Sequence, residues 1–176
     1  KIADIPCTIA RTGYTGEDGV ELFCAWDDAV ALWRALLAAG EGFGIAPTGL
    51  GARDTLRLQA RLSLYGNDID ETTNPIEAGL SWTVKLDKAE FVGKDALCRV
   101  KAEGPKRKLV GLELEGKRIA RQGARVMSGD APVGEVTSGT LSPTLGKSIA
   151  MAYVDSARPS SNDPLSIDFK GTQVSA

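Results

Sequence analysis

With 176 residues, 43% hydrophobic and 25% charged, the chain has apolar material for one substantial core or two small ones, in the proportions of an ordinary globular protein. Its formal charge of -2 argues against nucleic acid as the main partner, and no apolar run approaches the roughly 20 residues of a membrane span. Histidine is absent, which excludes Ser-His-Asp and Cys-His catalysis, imidazole metal ligation and histidine acid–base chemistry.

The first residues, Lys1-Ile-Ala-Asp-Ile-Pro6, lack the apolar core of a signal peptide. Ile5-Pro-Cys-Thr-Ile-Ala10 reads as a strand leading into Arg11-Thr-Gly-Tyr-Thr-Gly-Glu-Asp-Gly-Val-Glu-Leu-Phe23. In that stretch Gly13, Gly16 and Gly19 recur every third residue, which suits a tight connection with positive φ or a close backbone approach. No Lys-Ser/Thr follows the glycines, so this is not a P-loop. After Gly19 the alternation becomes that of a strand over 20–25, antiparallel to the first, with Glu21 sharing a half-apolar face with Phe23 and Ala25. A carboxylate on such a face needs a donor. Two partners fit: an arginine such as Arg53, which spacing alone favours, or a flat ligand edge offering two N–H donors to both oxygens.

Three cysteines, Cys7, Cys24 and Cys98, are odd in number and far apart, so they suggest neither a zinc site nor a disulfide framework. Cys7 and Cys24 read as small buried hydrophobes, and a reducing compartment fits best. Asp27-Asp28 then reads as a helix cap and first turn, and Trp26, Val30, Trp33, Leu36 and Leu37 stand at the spacing of an amphipathic helix ending near Gly40. That helix is expected to pack on the sheet with both tryptophans in the core. Turn residues from Ala46 lead into a second helix whose Arg53, Arg57 and Arg61 are four apart and share one face. Arg53 lies in the first turn, where a cation opposes the helix dipole, so a partner rather than helix stability is expected to fix its place.

Ser63 to Gly79 is a long polar connection, and Asp68, Asp70 and Glu71 lack the regular ligand spacing and glycine hinge of a calcium loop, so loop architecture is the reading and no metal is expected. Leu80 to Leu86 alternates as a strand, and Lys94 to Lys101 reads as a short helix. The Gly-Pro pair and basic run within Ala102-Glu-Gly-Pro-Lys-Arg-Lys108 mark a linker over 103–108. From Leu109 onward, short apolar runs broken by glycine indicate a small antiparallel barrel or sandwich, with strands at Leu109–Leu114, Pro132–Val136, Ser148–Val154 and Leu165–Phe169. No constellation in this half could run chemistry.

The segments Gly13-Tyr-Thr-Gly-Glu-Asp-Gly-Val-Glu21, Gly49-Leu-Gly-Ala-Arg-Asp-Thr-Leu-Arg-Leu58, Leu64-Tyr-Gly-Asn-Asp-Ile-Asp-Glu71 and Glu77-Ala-Gly-Leu-Ser-Trp82 resemble, in order and spacing, the aminomethyltransferase (T-protein) family of the glycine cleavage system. Val136-Thr-Ser-Gly-Thr-Leu-Ser-Pro-Thr-Leu145 and Ile149-Ala-Met-Ala-Tyr153 resemble that family's C-terminal domain. The resemblance implies an α+β protein: residues 1–102 as the C-terminal part of a folate-binding α/β-sandwich domain, the linker, and 109–176 as a β-barrel domain short of its last strand.

It also implies tetrahydrofolate as cosubstrate and no metal. In the family, the one-carbon unit of an aminomethyl group on the lipoyl arm of H-protein passes to tetrahydrofolate with release of ammonia. The family's folate-binding glutamate maps onto Glu21, its ligand-binding arginine onto Arg53, and Tyr14 contributes to the pterin wall. The implied setting is cytoplasmic, or the mitochondrial matrix in a eukaryote. Two related branches share the scaffold, the folate-dependent demethylases and the non-catalytic folate binders that support iron–sulfur enzymes. The latter carry a lysine-glycine-cysteine-tyrosine signature where this chain has Arg11-Thr-Gly-Tyr14, which favours an enzyme.

Two departures from the family pattern stand out. Members are about twice this long, as multidomain chains are, and the aspartate proposed to assist the chemistry belongs to the family's N-terminal half, outside this chain. The sequence therefore reads as a fragment or one piece of a split enzyme, inactive alone and holding half a folate site. Gln59-Ala-Arg61 also replaces the usual Glu-Ala-Gly.

Overall fold

The computed structural model describes residues 1–157 and 164–176, and the chain divides into two compact units, Lys1–Ala60 and Arg61–Ala176. In the first, β1 (Cys7–Ala10) pairs antiparallel with β2 (Glu21–Cys24), as the alternation on either side of the glycine turn predicts. The register sets Cys7 against Cys24 and Ala10 against Glu21. The alternation of β2 is as read, but Glu21 and Phe23 occupy its exposed side, with Phe23 58% exposed, so the carboxylate is not buried.

A 3-10 turn over Trp26–Asp28 runs into α1 (Ala29–Gly40), and neither aspartate side chain caps the helix. Both tryptophans depart from expectation. Trp26 is 91% exposed and Trp33 51%, while Leu32 is the one fully buried residue of the helix. The reason lies in the composition: Arg34 is the sole charged residue of α1, so the helix carries two apolar stripes. Spacing cannot choose between them. The stripe of Leu32, Ala35 and Leu36 turns inward, and that of Trp26, Val30 and Trp33 stays outside.

Gly49 precedes α2 (Leu50–Gln59) and its carbonyl accepts the Arg53 N–H at 3.2 Å. The expected arginine face does not form. Arg53 is exposed, and Arg57 is buried and paired with Asp54 at 2.8 Å. Arg61 lies beyond the helix end with φ +56, a left-handed conformation at the position where the family pattern has glycine. Its guanidinium donates to the Leu109 carbonyl at 2.7 Å, which offsets part of that strain.

In the second unit the polar connection is tightly tied. Asp68, fully buried, accepts from the Leu64 N–H at 2.9 Å and from the Thr137 hydroxyl, and its carbonyl accepts from the Tyr153 hydroxyl at 2.9 Å. Glu77, also buried, accepts from the Asn74 N–H at 3.0 Å and pairs with Arg107 at 3.3 Å. The strand expected over 80–86 is instead a 3-10 turn, Ser81–Thr83. Its backbone donors are already used locally: Leu80 N–H bonds Pro75, Thr83 N–H bonds Leu80 and Val84 N–H bonds Ser81, leaving little to offer a ladder.

Helix α3 (Lys94–Glu103) forms where expected, and Gly104 to Lys106 lead into the sheet. Among the described residues six strands follow: β3 (Arg107–Leu114), β4 (Arg125–Ser128), β5 (Ala131–Ser142), β6 (Lys147–Asp155), β7 (Leu165–Asp168) and β8 (Gln173–Ser175). They pair in the order β3-β6-β5-β4-β7-β8, antiparallel throughout, and β4 and β8 are strands the sequence reading did not identify. The sheet curls into a half-barrel until Glu115 N–H, just past β3, reaches the Ser175 carbonyl of β8 at 3.0 Å. Inside lie Leu112, Leu114, Val126, Val136, Ala152 and Ile167.

Strand β6 is buried from Ser148 to Val154 without alternation. Ala150, Ala152 and Val154 face the barrel core, while Tyr153 on the other face meets the Asp68 segment. A strand covered on both sides reads as a continuous apolar run, as Ile149-Ala-Met-Ala-Tyr-Val154 does.

Candidate functional site

The candidate residues gather in the first unit around the glycine turn. Gly16 has φ +75, and a Cβ built on it would stand 2.5 Å from Cβ of Ala60. Glycine is therefore required twice over, for its conformation and for close approach to the end of α2. That approach brings the turn next to the helix that carries Arg53. The Arg53 guanidinium lies 4.5 Å from the centre of the Tyr14 ring, a cation–π stack that fixes the half-buried tyrosine and leaves the in-plane N–H fork available.

Glu21, at the start of β2, accepts a hydrogen bond on Oε2 from the Thr12 hydroxyl. Thr12 thus orients the carboxylate from within the same turn and occupies only one of its acceptor positions. The ion pair between Glu21 and Arg53 that spacing favoured is absent. Of the sequence-selected residues, Tyr14 and Arg53 are in contact, and Glu21 is tied to their turn through Thr12. The role of Thr12 carries no sequence signal, since a threonine in a turn has many local uses.

Chemically, the arrangement offers an exposed, oriented carboxylate for paired N–H donors, and a guanidinium held on an aromatic face for an anionic group. Among the described residues no group of three or more His, Cys, Asp or Glu could hold a metal ion, and no helix is long and apolar enough to cross a membrane.

In the second unit the Tyr153 hydroxyl has its pKa pushed from 10.0 up to about 12, first by burial and then by the nearby Glu77 carboxylate. Arg107, 4.3 Å from the ring centre, works in the opposite direction. Its hydroxyl ties β6 to the Asp68 loop and its ring meets Arg107 of β3, so its role is structural.

Comparison with known proteins defines the family. Residues 1–88 match the model of the GCVT N-terminal domain, and residues 107–176 match that of the glycine cleavage T-protein C-terminal barrel domain. The chain belongs to the glycine cleavage T-protein family. More particularly, its relatives carry the name aminomethyltransferase. One from Pseudothermotoga lettingae is 52% identical over 170 residues, which is 97% of this chain and 46% of that protein. Another from Halothermothrix orenii is 56% identical over 153 residues, 86% of this chain and 43% of that protein. The crystal structure of glycine cleavage system aminomethyltransferase T from Bartonella henselae superposes with a TM-score of 0.86 at 37% identity, covering 95% of this chain and 46% of that one. The chain spans about half the length of the relatives it matches.

Proposed function

We propose that this chain supplies the folate grip of a tetrahydrofolate-dependent aminomethyltransferase of the glycine cleavage system. In this reading Glu21 accepts the paired N–H donors of the pterin, Tyr14 walls it, and Arg53 receives an anionic group of the folate tail. Tetrahydrofolate, when bound, is the nucleophile that takes up the one-carbon unit from the aminomethyl-lipoyl arm of H-protein, with ammonia released. The chain's own residues bind and orient. None is assigned a catalytic role, and the chain alone is expected not to turn over. The observation that carries the reading is the Thr12-oriented carboxylate of Glu21 beside the stacked Tyr14–Arg53 pair.

The names of the relatives support the aminomethyl donor over a methylated amine, and with it lipoylated H-protein as partner. A cytoplasmic setting accords with the bacterial sources of those relatives. The proposed domain boundary stays at 103–108, inside the second compact unit, at the passage from α3 to β3 through Gly104 with φ +82.

The test is a calorimetric titration of tetrahydrofolate into the chain and its Glu21→Gln variant. Losing a hydrogen-bonded charge should weaken binding by about 1.5–3 kcal/mol, roughly 10- to 150-fold. Equal affinity in two proteins with the same melting temperature would remove Glu21 from the site.

A further inference from the structure

Two cysteines are paired across the strands that flank the glycine turn. The register of β1 and β2 makes Cys7 and Cys24 direct partners, at the opposite end of the ladder from the Ala10–Glu21 pair. Opposed residues of an antiparallel pair project from the same face of the sheet, with Cα atoms about 4.5 or 5.5 Å apart according to whether the pair exchanges hydrogen bonds. Both spacings lie within the roughly 4.4–6.8 Å over which a disulfide closes. Each cysteine is free and half-buried, and the strand register holds the two together. Cys98, the third free thiol, sits on α3 in the other unit.

We propose that Cys7 and Cys24 form an oxidative modification site, a cross-strand dithiol converted to a disulfide by thiol–disulfide exchange with a glutathione-type disulfide. One cysteine, as thiolate, attacks a sulfur of glutathione disulfide, forming a protein–glutathione mixed disulfide and releasing one glutathione thiolate. The other then attacks the protein sulfur of that mixed bond and expels the second glutathione. The protein is oxidised by two electrons and glutathione disulfide reduced by two. The two thiol hydrogens end on the two glutathione molecules. The new bond closes a loop containing Tyr14 in the turn and Glu21 on β2, so oxidation restrains the segment from both flanks. The site follows from strand register and stands whatever ligand the turn binds.

The experiment equilibrates the folded chain with mixtures of reduced and oxidised glutathione, quenches with acid, alkylates, and reads intact mass and peptide map. The expected result is concerted loss of two alkylatable thiols and two hydrogens, with a peptide pair joined through Cys7 and Cys24 and Cys98 still alkylated. Cys98→Ser should behave identically, and Cys24→Ser should stop at a reversible mixed disulfide on Cys7. The measurement on the unmutated chain does not depend on how the variants fold. Retention of both thiols in fully oxidised glutathione, a mixed disulfide that never closes, a bond to Cys98 or a link between two chains would each overturn the proposal.

Discussion

Tyr153 shows how one side chain serves several tasks in the second unit. Its hydroxyl donates to the Asp68 carbonyl at 2.9 Å, its ring carries Arg107, and burial and Glu77 hold its pKa at about 12, above the ordinary 10.0. The sign of the consequence is fixed. The folded state keeps the proton more tightly than the unfolded state, so the contribution is complete below pH 10 and lost as pH rises from 10 toward about 12. Urea midpoints of the chain should fall across that window, and Tyr153→Phe, though less stable at neutral pH for want of its hydrogen bond, should fall less steeply. Parallel slopes would mean that Tyr153 titrates alike in both states. None of this was legible in the sequence. Asp68 is separated by 69 residues from Thr137 and by 85 from Tyr153, so its burial depends on partners that no local pattern announces. Glu21 and Arg53, by contrast, could be selected from sequence because the glycine turn and the helix start are local events, although the ion pair that spacing favoured between them is replaced by separate contacts to Thr12 and Tyr14.

Among the elements, β5 has the tightest clearance. A Cβ on Gly139 would come within 1.9 Å of the Ala120 carbonyl oxygen, and Ala120 is fully buried, so neither side can yield without moving backbone. Gly139→Ala should destabilise the chain by about 1–3 kcal/mol, the range of core overpacking. Gly111→Ala on β3, whose nearest new neighbour would be the flexible Arg61 side chain at 3.9 Å, should be nearly neutral. Equal denaturation midpoints for the two variants would show that the Ala120 loop gives way freely. Elements were legible where one pattern had one outcome, as for β1, β2, α3 and β3. They were not where the pattern was degenerate. In α1 two apolar stripes competed for the interior, and over 80–86 an alternating run lost its donors to turn carbonyls. In the arginine helix the four-residue spacing continued past Gln59, where the chain had already left helical φ.

The two units differ sharply in how completely they bury apolar surface. Fully buried hydrophobic residues of the first unit are confined to Leu32 and Leu58, while Val20, Phe23, Trp26, Val30, Trp33, Phe43 and Leu50 are each more than half exposed. The second unit encloses a continuous core from Leu112 to Ile167. Apolar exposure on this scale exceeds the scattered single residues normal on a monomer and favours association. Amide exchange should accordingly be slow in β5 and β6 and fast throughout residues 1–60, because local opening costs least where few apolar contacts are lost. In sedimentation the 176-residue chain should self-associate with rising concentration. Replacing Trp26 and Trp33 together by Gln, at positions whose side chains already face outward, should shift it toward monomer without slowing exchange elsewhere. A monomer at all concentrations, melting cooperatively with uniform protection across both units, would show that the first unit is self-sufficient despite its exposed aromatic surface.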